Sequence, residues 1–198
     1  MRKRLKFFYA YRSPYSALAA DMVFEAAKSW GDKVQVEPVQ FSLDDDVQFA
    51  DPTANPDKVS YIVQDVIRLY AARGLRVGFP DPFDIDFAVP ARVTKAAMAA
   101  GHGLAFIREA SLLRWGEGKN PTAPEVLGEA ASRAGWNAEA ARAAMSDASL
   151  DAAIAEDKAL VKQHKVFGVP FFVVEDEAGQ EAFWGQDRWA MMVERLGV

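Results

Sequence analysis

Cysteine is absent from all 198 residues. That removes disulfides, thiolate zinc and iron–sulfur sites, a Cys nucleophile and dithiol redox chemistry together, so any sulfur chemistry needs a thiol from outside the chain. Histidine occurs only twice, at His102 and His164. Both read as helix C-terminal residues, because no spacing brings metal-ligating partners to either. There is no basic excess, since 23 Lys and Arg stand against 28 Asp and Glu for a net charge of −5. This argues against nucleic acid as a partner. No run approaches the roughly 18 apolar residues of a membrane span. The basic opening Met1-Arg2-Lys3-Arg4 is followed by an apolar stretch that Lys6 interrupts and that is too short for a signal peptide, so the expected compartment is the cytoplasm. Phosphate-cradling glycine loops are also missing, because Gly116-x-Gly118-Lys119 has the wrong spacing. Asp44-Asp45-Asp46 lacks the glycine of a calcium loop and reads as a solvated turn.

What is present is 51% hydrophobic residues, enough at this length for a compact α/β unit with a large core. Leu5 to Tyr11 reads as a strand leading into Ser13-Pro14, an N-cap followed by proline at the first helical position. The helix runs from Pro14 to Trp30 and stops at Gly31-Asp32, and a second strand follows from Val34 to Phe41. The next stretch is Ala-rich and helical, with helices expected over Pro56–Ala72, Asp86–Ala100, Leu104–Trp115 and Pro124–Ala134. Thr122 and Glu125 are spaced as a capping box, and Gly101 and Gly135 sit where helices end. Ala138–Met145 and Leu150–Gln163 continue the helices, followed by a strand at Val169–Val174, a turn over Glu175–Gln180, a strand at Glu181–Trp184 and a final helix from Gln186 to Leu196. The order β-α-β, helical block, α-β-β-α is that of a thioredoxin-like fold, with a four-stranded mixed sheet and an all-helical insertion domain. The expected division is 1–43 and 146–198 for the thioredoxin-like domain and 44–145 for the insertion.

Three segments could carry chemistry. At the end of the first strand of a thioredoxin fold, the helix N-terminus stabilises a thiolate in a Cys-x-x-Cys motif. Here that place holds Ser13-Pro14-Tyr15-Ser16, so the setting for a sulfur anion remains while the protein's own sulfur is gone. The Ser13 hydroxyl is suited to donate to a bound thiolate, although serine is equally favoured there as a plain helix cap. Val169-Pro170 precedes a strand at the point where a cis-proline would turn the Val169 backbone toward a peptide-like ligand. In Gly185-Gln186-Asp187-Arg188, a glycine turn opens a helix whose N–H groups could hold a carboxylate, while Asp187 could hold an ammonium group.

Together, Tyr11-Arg12-Ser13-Pro14-Tyr15-Ser16, Phe167-Gly168-Val169-Pro170 and Phe183-Trp184-Gly185-Gln186-Asp187-Arg188 resemble the 2-hydroxychromene-2-carboxylate isomerase family, relatives of kappa-class glutathione transferases in the DsbA-like branch. Lys58-x-x-Tyr61-x-x-x-Asp65-x-x-Arg68 adds a matching helix. The resemblance implies a homodimeric, glutathione-dependent cis–trans isomerase, with kappa-like transferase activity as a neighbouring possibility and a non-catalytic thioredoxin-like binding module as the alternative. It implies that Ser13 holds the glutathione sulfur, that Val169 pairs with the tripeptide beside a cis Pro170, and that Gln186, Asp187 and Arg188 lie at the γ-glutamyl end. Lys58 becomes a candidate for a carboxylate of glutathione or substrate, and Tyr11, Arg12 and Tyr15 become candidates for substrate contacts. The chain departs from the family at Phe83-Asp84-Ile85-Asp86, where Asp86 replaces an amide and brings negative charge to the expected substrate region, and at Ala54-Asn55-Pro56-Asp57.

Overall fold

The computed structural model describes residues 2–42 and 52–198. Its strands are β1 (Lys3–Tyr9), β2 (Val34–Gln40), β3 (Phe171–Asp176) and β4 (Gly179–Trp184). Its α-helices are α1 (Pro14–Trp30), α2 (Pro56–Ala72), α3 (Ala88–Ala99), α4 (Gly103–Glu117), α5 (Pro124–Arg133), α6 (Ala138–Ala144), α7 (Asp151–Gln163) and α8 (Trp189–Leu196). The four strands lie in the order β2-β1-β3-β4. β1 pairs parallel with β2 and antiparallel with β3, and β4 closes an antiparallel hairpin with β3. This is the thioredoxin-like mixed sheet expected from the element order. Among the described residues no helix is long and apolar enough to cross a membrane. Asp44-Asp45-Asp46 lies outside the described residues.

Side chains of β1 divide the core by their alternation. Leu5, Phe7 and Tyr9 join the larger cluster, which continues through Val93, Phe106, Ile107 and Leu127 of the helical block to Met192 and Leu196 of α8. Phe8 faces the other way, onto Val39, Val161, Val166, Phe171 and Val173. A third cluster joins Ala17 and Leu18 of α1 to Val66 and Tyr70 of α2 and Trp115 of α4, which fixes the helical block against the first helix. Pro38 is tolerated in β2 because that strand is an edge of the sheet.

α1 and α2 keep their expected boundaries, and both begin with an Asx or Ser cap followed by proline. Ser13 Oγ accepts from Ser16 N–H, and Asn55 Oδ1 accepts from Asp57 and Lys58 N–H. Several other expectations need correction. β1 ends at Tyr9, not Tyr11, because Ser13 N–H bonds back to Ala10 carbonyl and turns the chain. β3 begins at Phe171, not Val169, since Pro170 has no N–H for the ladder. The β3–β4 connection is a two-residue turn, Glu177-Ala178, with Asp176 paired to Gly179, in place of a loop over Glu175–Gln180. Thr122 does not cap α5: Asn120 Oδ1 accepts from both its N–H and its hydroxyl, and Ala123 takes the N-cap place. Asp86 precedes α3 and accepts from Ala88 N–H at 3.0 Å, so the helix starts two residues later than expected. Gln186–Arg188 forms a 3₁₀ turn before α8. His164 does end α7, whereas His102 stands at the junction where α3 ends and α4 begins.

Candidate functional site

An open groove of about 270 Å³ lies at the end of the sheet where β1 and β4 finish, lined by Tyr15, Val169, Pro170, Trp184, Gly185, Gln186, Asp187 and Arg188. Six of the residues singled out from the sequence, namely Tyr15, Val169, Pro170, Gln186, Asp187 and Arg188, therefore meet in one place although they lie far apart in the chain. The Val169–Pro170 peptide bond is cis. Gly185 N–H donates to Pro170 carbonyl at 2.9 Å, tying the turn after β4 to the start of β3. Gly185 has φ +97°, and a Cβ there would stand 2.3 Å from Asp187 Oδ1, so backbone and neighbour both require glycine. Trp184 and Phe167, each more than half exposed, meet edge to face at 4.9 Å and form an aromatic wall; the indole packs so close to Gly168 that a Cβ would lie 3.0 Å from its Nε1.

Ser13 stands at the N-terminus of α1, two residues before Tyr15. Its oxygen accepts from Ser16 N–H at 3.1 Å, which leaves the hydroxyl hydrogen free to donate. Pro14 has no N–H and Ala17 N–H makes the first helical bond, to Ser13 carbonyl at 3.1 Å. Among the described residues the Tyr15 N–H is therefore the orphan amide of the first turn. Ser16, at the second position a redox dithiol would occupy, is buried and accepts from Ala10 N–H at 3.2 Å. The helix start thus offers one hydroxyl and one amide to an anion, reinforced by the helix dipole.

The remaining candidates fall around this point. Tyr15 donates to Asp65 Oδ2 at 2.9 Å, and burial followed by that carboxylate raises its phenol well above the ordinary value, so it stays protonated. Asp65 also takes Arg68 at 3.1 Å. Lys58 and Tyr61 share the α2 face that carries Asp65, but Lys58 is exposed in the first turn, roughly 10 Å along the helix from Asp65, and is not part of the groove lining. Arg12 bonds Asp84 at 2.7 Å with its guanidinium 4.8 Å over the Phe83 ring, placing it against the segment before α3. Tyr11 does not face the groove: it is fully buried, and its hydroxyl is 2.6 Å from Thr94 Oγ1. Asp86 is exposed and occupied in starting α3.

Two residues that sequence reading passed over hold the turn that carries Ser13. Arg114 Nε and Trp115 Nε1, both on α4, donate to Tyr11 carbonyl at 3.0 and 2.9 Å. Arg114 also donates to Phe83 carbonyl through Nη2, while its Nη1 has no partner. Burial pushes the guanidinium down to about 10, where it is still fully charged at neutral pH. The signal was available, since Ile107, Ala110 and Arg114 follow helical spacing and place a cation on the buried stripe of α4.

The sequence matches the DSBA-like thioredoxin domain over residues 4–197. It is 23% identical over 202 residues to a 2-hydroxychromene-2-carboxylate isomerase of Pseudomonas putida, covering 96% of this chain and 93% of that protein. The fold is similar to a solved 2-hydroxychromene-2-carboxylate isomerase, with a TM-score of 0.74 at 21% identity over 98% of this chain and 94% of the other. It is also similar to the cytosolic disulfide reductase DsbM from Pseudomonas aeruginosa solved with GSH, with a TM-score of 0.66 at 20% identity over 98% and 100% of the two chains. With the matched domain spanning nearly every residue, the chain belongs to the DsbA-like thioredoxin family.

Proposed function

We propose that this protein is a glutathione-dependent cis–trans isomerase of the 2-hydroxychromene-2-carboxylate isomerase type, working in the cytoplasm as a homodimer. The observation that carries the reading is a serine cap at the start of α1, two residues before the groove-lining Tyr15, together with the cis Val169–Pro170 bond of that lining, in a chain without cysteine. A dithiol oxidoreductase needs sulfur at positions 13 and 16, and serine stands at both. The likeness to proteins named as isomerases, and to a disulfide reductase solved with GSH, supports the choice of reaction and of thiol.

The groove suits a short peptide with charged ends. The Val169 backbone would pair with the peptide beside the cis bond, and Gln186, Asp187 and Arg188 offer an amide, a carboxylate and a guanidinium for an α-amino-acid group. Ser13 Oγ–H and Tyr15 N–H would hold the sulfur as a thiolate. Glutathione bound in this way would supply a nucleophile whose addition to a conjugated carbon turns a double bond into a single one, free to rotate before the sulfur leaves. No net oxidation occurs. Trp184 and Phe167 would form an apolar wall for a flat aromatic substrate, and a substrate carboxylate would compete with Asp84 for Arg12.

Calorimetric titration of reduced glutathione into the wild type and Ser13→Ala, with oxidised glutathione as control, tests the reading. Saturable binding with an ultraviolet thiolate signature that Ser13→Ala loses is expected, together with roughly a 10²-fold fall in isomerisation rate. Absence of binding by glutathione overturns the proposal in favour of a non-catalytic binding module.

A further inference from the structure

Among the described residues two cations are buried, Lys6 and Arg114, and only Lys6 has a carboxylate partner. Lys6 lies 2.5 Å from Glu175, Lys95 is 2.6 Å from Asp157, and Arg108 and Arg73 share Asp21 at 2.8 and 2.5 Å. Arg114 is more deeply buried than any of these, with no exposed surface, yet among the described residues no carboxylate pairs with it. Two carbonyls take two of its nitrogens, the rings of Phe87 and Trp115 lie 5.4 and 5.7 Å from its centre, and Nη1 points at no acceptor. Removing a charge from water without a counter-ion is costly, and such arrangements persist where an anion completes them. Arg114 is tied to one turn of the chain. Its Nε grips the carbonyl of Tyr11, two residues before Ser13, so the cation is bound to the same turn that ends in the free hydroxyl and the orphan amide.

We infer that Arg114 is a positioning residue for the anion seat at the start of α1: it fixes the Tyr11–Ser13 turn from below and brings a buried positive charge to whatever anion Ser13 holds. The inference rests on Ser13 as the anion-binding end of the groove, but not on the identity of the thiol. Other charges face this turn: Arg12 adds to the effect, Asp84 offsets it, and Asp65, held by Tyr15, and Asp187 and Arg188 of the groove lining stand on the far side. Arg114 differs from them in being buried, and a buried charge acts at full strength where exposed ones are weakened by salt.

The chain has no cysteine, so Ser13→Cys installs a single reporter thiol at the seat, and its titration by the pH dependence of alkylation needs no glutathione. In the Ser13→Cys protein the thiol is expected well below the ordinary value of about 8.5. Adding Arg114→Gln, which keeps a donor for Tyr11 carbonyl but removes the charge, should raise it by about one unit, a tenfold loss of thiolate relative to thiol. Arg114→Lys should raise it less, and Trp115→Phe, which removes the other donor to Tyr11 without touching charge, should leave it within a few tenths. Equal shifts from Trp115→Phe and Arg114→Gln would reduce Arg114 to a structural brace and overturn the charge role, as would no shift in either. Should Arg114→Gln not fold, the Ser13→Cys protein decides in molar salt. A thiol that stays depressed supports the buried cation, and one that returns to the ordinary value assigns the effect to screened surface charges and the helix dipole. A depressed thiol alongside absent glutathione binding would sink the proposed cofactor while leaving this inference standing.

Discussion

The two ends of the sheet are built from the same strands and treat charge in opposite ways. At the end where β1 begins and β3 finishes, Arg4 makes two hydrogen bonds to Glu37, Lys6 bonds Glu175, and Arg195 clamps Asp176, each cation facing a carboxylate. At the other end, among the described residues, the Tyr15 amide is an orphan, the Ser13 hydroxyl hydrogen has no acceptor and the groove opens. A saturated network holds strands in register and has nothing left to offer a ligand. The incomplete end has donors in reserve, and that difference locates the site without reference to any relative.

If the comparison is sound, damage at the saturated end should cost stability and spare the groove. The largest expected effect is Lys6→Met, which takes from Glu175 its closer partner and leaves Glu175 and Glu37 to Arg4 alone at a buried position. A loss of about 3 kcal/mol in urea unfolding is expected, the low end for breaking a buried pair because Arg4 stays with both carboxylates. Thiol-ligand affinity should be unchanged, and a matching fall in affinity would break the distinction between the ends. Gly185→Ala comes next, expected to cost about 1–3 kcal/mol because alanine resists φ +97° and its methyl meets Asp187, and here affinity should fall with stability. Ser13→Ala removes a helix cap and should cost about 1 kcal/mol, small against its effect on ligand binding; Ser13→Gly, which loses the same hydroxyl with less cap penalty, should show the same binding loss at higher stability.

The smallest effect is a pH dependence at the saturated end. His164 is almost wholly buried against Phe8, with Nε2 unpartnered and Glu175 3.9 Å away. Burial, with Lys6 adding to it, lowers its ring below the ordinary value of about 6.5. The unfolded chain then binds a proton that the folded chain resists, so this contribution is complete above the unfolded value and stability declines as pH falls below about 6.5 toward the folded value. Urea midpoints measured across that window should show the decline, and His164→Gln should flatten it. A midpoint that rises on acidification would mean that His164 takes the proton and pairs as a cation with Glu175.

Much of the scaffold was legible because its signals are local. Ser13-Pro14 and Asn55-Pro56 set the starts of α1 and α2 through capping and a preset φ, and the bulky aromatic run from Leu5 announced the strand that became β1. Errors of two residues arose where a competing local bond won, as when Asn120 took the Thr122 hydroxyl or Ala10 carbonyl turned the chain after Tyr9. Lys58, matched by helical spacing, sits on the expected face yet outside the groove, because spacing fixes the face of a helix and not its distance from another element.

The sequence by itself determined that the protein has no thiol of its own, that a serine would cap the helix where a dithiol belongs, and that strands and helices follow a thioredoxin-like order. These follow from composition, cap chemistry and periodicity, which act within a few residues. Only the tertiary structure decided that Tyr15, Val169 and Gln186–Arg188 close around one groove, that Tyr11 turns inward, and that Arg114 lies beneath the Ser13 turn without a carboxylate. Those depend on contacts between segments from 83 residues apart, as for Tyr11 and Thr94, to more than 150 apart around the groove, where packing chooses which polar groups are paired.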